Sequence, residues 1–136
     1  MDAEAVRTFL REHHRGVLVT NRRDGRPQTS PVSATVDGEG RVVVSSRETA
    51  MKVKNVERTP WGALCAFPDE WYGPWVQVEG PIEVVHLPEA LPLLEDYYRS
   101  VAGEHPDWDD YRAAMARERR VLLRMTIERA GPNVAG

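Results

Sequence analysis

Gly16-Val17-Leu18-Val19-Thr20-Asn21-Arg22-Arg23-Asp24-Gly25-Arg26-Pro27-Gln28-Thr29-Ser30-Pro31-Val32 reads as two strands joined by a tight turn. Val17 to Thr20 is a short apolar run suited to a buried strand, with Gly16 expected to end the helix before it. Asp24-Gly25 tolerates the left-handed backbone that matches hairpin twist. The return segment, Arg26 to Val36, holds Thr29, Val32, Thr35 and Val36 but also Pro27 and Pro31. A proline cannot donate to a ladder, so this strand belongs on an edge or at a bulge, its backbone free for other work.

The same kind of reading extends to both sides. Residues 2–13 place Val6, Phe9 and Leu10 on one helical face. After a second turn at Asp37-Gly38-Glu39-Gly40 comes the β-branched run Val42-Val43-Val44-Ser45. Thr49 is expected to cap a helix running to about Arg58, closed by Pro60. Trp61 to Phe67 is a compact strand. Trp75 to Val85 alternates at period two and kinks at Gly80-Pro81. Pro92 fits the first turn of a helix bearing Leu93, Leu94, Tyr97, Tyr98 and Val101, which Gly103 ends. Asp107 caps another helix, and Val121 to Ile127 alternates as the last strand. Six strands with peripheral helices describe a small antiparallel β-barrel, mainly β or α+β in class.

At 136 residues the chain is expected to form one domain, 1–136, with 41% hydrophobic and 29% charged residues. A net charge of −3 argues against a nucleic-acid binder. The chain has no apolar run long enough for a membrane helix. Its acidic start, Met1-Asp2-Ala3-Glu4, lacks the order of a signal peptide, and a cytoplasmic protein is expected. Only Lys52 and Lys54 are lysines; the other sixteen of the 18 cations are arginines. Cys65 sits in an apolar run and reads as an inert buried thiol. The four histidines lack metal-site spacing, and neither a dinucleotide-binding nor a phosphate-binding glycine loop is present.

One cluster combines groups of a single kind. Ser45-Ser46-Arg47 ends a strand, and Lys52 and Asn55 follow on the next helix. Hydroxyls, cations, an amide and helix-start N–H groups converge there as a phosphate or carboxylate site requires. The same residues equally suit a capped surface helix with solvated charges.

A wider pattern accompanies the cluster. It comprises Gly16-Val17-Leu18-Val19-Thr20, Asp24-Gly25-Arg26-Pro27-Gln28 with Ser30, and Lys52 with Asn55 ahead of Arg58-Thr59-Pro60. Val78-Glu79-Gly80 follows, then Ala102 through Arg112, closing on Arg119-Arg120-Val121-Leu122-Leu123. With the element order, these residues make the chain resemble the FMN-binding split barrel of the pyridoxamine 5′-phosphate oxidase-like superfamily. Within it, the chain is similar to the actinobacterial reductases that depend on the deazaflavin coenzyme F420. The resemblance implies a homodimer with cofactor grooves at its interface and hydride transfer to an electron-poor, conjugated small-molecule substrate. FMN-dependent oxidoreduction and non-catalytic cofactor binding are the alternatives on the same fold. It further implies that Ser45, Ser46, Arg47, Lys52 and Asn55 serve the cofactor's phosphate end. Ala50 stands where the family pattern has an arginine, with Arg47 as the candidate replacement. Gln28, Thr29, Ser30, Pro31 and Val32 are expected along the ring end, or else the prolines only guard an edge. Trp75 and Trp71 suit a planar ring, or ordinary packing. The eight Trp and Tyr residues exceed what one small core readily holds, which also points to a dimer.

Overall fold

The computed structural model describes residues 1–132. Seven strands run β1 Arg15–Asn21, β2 Pro27–Val36, β3 Val42–Arg47, β4 Trp61–Ala66, β5 Val76–Val85, β6 Arg120–Met125 and β7 Arg129–Gly131. The helices are α1 Ala3–Glu12, α2 Met51–Arg58, α3 Ala90–Ala102 and α4 Trp108–Glu118. All strand pairs are antiparallel. The order β1-β2-β3-β6-β5-β4, with β4 back on β1, closes a six-stranded barrel. Its interior holds Leu18, Val36, Val44, Leu64, Val78, Ile82, Leu123 and Met125. Val6 and Leu10 of α1 and Val53 and Val56 of α2 join this core and plug the barrel.

Two strands change partner part-way, and those corners split the barrel. β5 pairs with β4 from Val76 to Pro81, then with β6 from Ile82 onward. The kink falls at Gly80, where a Cβ would run into the Thr126 carbonyl oxygen, so only glycine fits. β7 fills this corner by pairing with Gln77 to Glu79. β2 pairs with β1 from Pro27 to Ser33 but with β3 only from Ala34 to Val36. Among the described residues no strand fills the second corner, and one edge of β2 stays open.

The ladder explains how the prolines are tolerated there. Ala34 N–H donates to the His14 carbonyl on the β1 side, whereas the Ser33 carbonyl turns outward to the Tyr97 hydroxyl at 2.8 Å. Alternation therefore puts the main chain of Thr29 and Pro31 on the open edge, where a missing N–H breaks no bond. The edge position expected from the prolines is the one observed.

A second core lies outside the barrel. Ala90 and Leu94 of α3 with Tyr111 and Met115 of α4 pack on Val43 and Leu122. The Tyr111 hydroxyl donates to the Leu94 carbonyl at 2.8 Å, and Tyr98, His105, Trp108 and Tyr111 stack edge to face around it. This layer corrects the aromatic count used to expect a dimer. Tyr97, Tyr98, Trp108 and Tyr111 belong to the packing of α3 and α4, leaving only Trp71 and Tyr72 strongly exposed among the described aromatics.

Three local expectations are corrected as well. α1 ends at a His13 cap rather than at Gly16, which lies in β1, where a Cβ would meet the Cys65 carbonyl oxygen at 2.8 Å. The residue capping α2 is Ala50, not Thr49, and no side chain accepts from its first turn. β7 was not foreseen, because three residues are too few to show alternation. No helix among the described residues is long and apolar enough to cross a membrane.

Candidate cofactor site at the open corner

Strand alternation sorts the side chains around the open corner. On β3, Val42, Val44 and Ser46 face the barrel, while Val43, Ser45 and Arg47 face outward. β6 runs alongside with Arg47 opposite Arg120, a like-charged pair at the end of the ladder. Glu118 joins them, accepting from Arg120 at 2.8 Å and from Arg47 at 3.5 Å. The Arg120 guanidinium holds the Glu118 carboxyl below the usual carboxylate range.

Lys52, on the first turn of α2, reaches the same place. Its ammonium is half-buried and makes no ion pair with a carboxylate among the described residues. Desolvation and the nearby Arg120 both push its pKa below that of an ordinary lysine. Arg47, Lys52 and Arg120 thus gather around the carboxylate of Glu118. The N–H groups of the first turn of α2 add to this field, because no side chain caps them as Asp2 caps α1 and Asp107 caps α4. The approach to α2 is fixed by Glu48 N–H, which donates to the carbonyl of Arg119, the residue between α4 and β6.

Tyr97 marks where β2 and β3 separate. Its hydroxyl donates to the Ser33 carbonyl at 2.8 Å, with the Ser45 main chain close by. Burial pushes its pKa up, and Tyr111 behind it is pushed up to about 12, chiefly by burial. Both stay protonated donors at neutral pH. Between α3 and the β2–β3 hairpin lies a pocket of about 240 Å³, lined among others by Thr35, Val43, Tyr97 and Leu122.

The expected residues distribute unevenly over this corner. Ser45, Arg47 and Lys52 converge, and Thr29 and Pro31 stand exposed on the open edge. Ser46 is 1% exposed, and its hydroxyl donates to the Arg47 carbonyl. Val32 packs against the barrel core. Asn55 is also 1% exposed, its amide donating to Gln28 Oε1 at 2.6 Å and Thr20 Oγ1 at 3.2 Å. Asn55 and Gln28 thereby tie α2 to the β1–β2 hairpin, a positioning task. Ser30 lies half-buried between them and Val32. Trp75 precedes β5, with β4 and β1 between it and the open edge of β2. One chain does not bring it to Lys52. Sequence reasoning missed Arg120 and Tyr97. The signal for Arg120 was its place at the start of the last strand, but which strand pairs with β3 is not written locally.

A family model described as pyridoxamine 5′-phosphate oxidase matches residues 2–132. The chain belongs to the pyridoxamine 5′-phosphate oxidase family. Solved structures share the split barrel of this family. A conserved hypothetical protein of Mycobacterium tuberculosis is 21% identical, with 100% of this chain and 93% of that one covered at a TM-score of 0.76. A heme binding protein from Mycobacterium smegmatis is 18% identical, with 94% of this chain but 52% of that one covered at 0.72. A protein named as an F420 reductase is 23% identical, with 91% and 94% covered at 0.67. At these identities the likeness is one of fold.

Proposed function

We propose that the chain is an oxidoreductase that uses the deazaflavin coenzyme F420 to reduce an electron-poor conjugated small molecule. The carrying observation is Lys52, a half-buried ammonium with cations rather than carboxylates beside it. Such an arrangement is costly in the free protein and favourable once a phosphate is bound. Arg47 and Arg120 complete the cation set, with Arg120 supplying what Ala50 lacks. Ser45 stands beside them, and the first-turn N–H groups of α2 face the same anion. The open edge of β2, at Thr29 and Pro31, offers main-chain groups to the polar rim of a ring. The bound coenzyme supplies two-electron hydride chemistry; the chain binds it, orients it and excludes water.

The reductase named for coenzyme F420 supports this choice over FMN, which is the second reading on the same cation set. Completion of the groove by a second copy is part of the proposal. Trp71 and Tyr72 are 73% and 96% exposed, and Tyr72 is held at a positive φ of 66°. With half-buried Trp75, and with Trp71 edge-on to Phe67, they form an aromatic loop that stands largely in solvent, suited to face a ring held by the other copy.

Absorbance and fluorescence titrations with coenzyme F420 and with FMN test the assignment. Coenzyme F420 is expected to bind more tightly. Lys52→Ala should weaken binding by about 1.5–3 kcal/mol, the value of one charge-assisted contact, while the unfolding midpoint moves little. An unchanged dissociation constant in Lys52→Ala would remove Lys52 from the site. Tighter binding of FMN would favour the second reading.

A further inference from the structure

Of the cations that form no ion pair among the described residues, four lie together. Arg7, Arg15, Arg41, Arg112 and Arg124 each meet a carboxylate within the chain. On the far side of α2 from the cofactor site, Arg22, Arg23, Lys54 and Arg58 line an open cleft of about 580 Å³, and none of them forms an ion pair among the described residues. Asp24 is the one acidic residue lining it, and its side chain accepts from the Arg26 N–H. Lys54 and Arg58 are four residues apart on one helix face, a spacing at which like charges destabilise. The β1–β2 turn and α2 together carry Arg22, Arg23, Arg26, Lys52, Lys54 and Arg58 against Asp24 and Glu57. That is a local charge of +4 on a chain of −3, leaving −7 on the remainder.

The cleft is also organised before any ligand arrives. The Arg58 guanidinium donates to the Asn21 carbonyl at 3.0 Å and to Asn55 Oδ1 at 2.9 Å, neutral acceptors that fix its position without cancelling its charge. Asn55 in turn is locked to Gln28 and Thr20. We infer that this cleft is a second anion site, built for a small molecule bearing two or more closely spaced phosphate or carboxylate groups. Its volume is that of a small-ligand pocket. Four convergent cations fit a multivalent anion better than a single phosphate. A nucleic acid fits poorly, because the chain as a whole carries a net charge of −3. The site lies within one chain and stands whether or not the cofactor assignment does.

Titration of the ¹⁵N-labelled full chain with sodium tripolyphosphate, triglutamate, orthophosphate and a short single-stranded oligonucleotide tests this. Tripolyphosphate or triglutamate should shift the amides of Arg22, Arg23, Gln28 and Lys54 and bind more tightly than orthophosphate. The tighter of the two names phosphate or carboxylate as the native chemistry. The double substitution Arg23→Gln and Lys54→Gln should weaken that binding about tenfold, as loss of charge-assisted contacts requires. Lys52→Ala should leave these shifts in place. Shifts confined to Ser45–Lys52, no loss in the double variant, or tighter binding of the oligonucleotide would overturn the inference.

Discussion

Lys52 carries the most sharply signed prediction. Burial and Arg120 lower its pKa from the ordinary 10.5, so it loses its proton earlier than an exposed lysine on raising the pH. A bound phosphate favours the ammonium, so binding at alkaline pH takes up a proton, and affinity declines as pH climbs through the lowered value. Lys52→Arg should hold its affinity beyond that point, because a guanidinium keeps its charge. Calorimetry in two buffers of different ionisation enthalpy reads the proton directly. Equal heats after correction, with a flat pH profile for both proteins, would contradict the cofactor role. The unfolded chain keeps the proton to higher pH, so this group adds stability as pH rises towards 10.5. Gly16 makes a separate point. A methyl group there would meet the Cys65 carbonyl oxygen at 2.8 Å, backbone that cannot swing aside. Gly16→Ala should cost about 1–3 kcal/mol in urea unfolding, as overpacking does; an unchanged midpoint would show that the strands can separate without penalty.

Among the elements, the corner of β2 and β3 is the working part. The Tyr97 hydroxyl braces it by donating to the Ser33 carbonyl beside the Ser45 main chain. Tyr97→Phe removes this bond while keeping the ring, and should cost about 1–3 kcal/mol. Faster hydrogen exchange at the Ser45 amide, with the barrel amides unchanged, is the expected signature; unaltered exchange there would mean that the strands need no strut. The strands of this corner were legible because their cues are local: Asp24-Gly25 for the turn, Pro27 and Pro31 for an edge, three consecutive valines for β3. Ser45, Arg47 and Lys52 were legible for the same reason, lying within eight residues of one another. Arg120 and Tyr97 come from elements more than forty residues downstream, and only the pairing of β3 with β6 and the seating of α3 bring them in. The inward turn of Ser46 and Asn55 was not legible, because residue type does not reveal which way a side chain points. Each is turned inward by the alternation or helical phase of its own element.

For the molecule as a whole, one corner of the barrel is closed by β7 and the other is open and cationic, with an aromatic loop exposed elsewhere. If two copies share each groove, dimer and cofactor affinity stand together, and stability depends on protein concentration. Sedimentation at micromolar concentration should show a dimer. Trp71→Ser with Tyr72→Ser should weaken both association and cofactor binding, and a monomer with full affinity would reject the shared groove. The central claim, that the open corner of β2 and β3 holds a phosphate-bearing cofactor, is tested most directly by a crystal structure of the full chain with coenzyme F420. The expected result places a phosphate oxygen within hydrogen-bond distance of Lys52 Nζ, with Arg47 or Arg120 alongside and the ring against Thr29 and Pro31. A well-ordered coenzyme whose phosphate lies away from all three cations would contradict it.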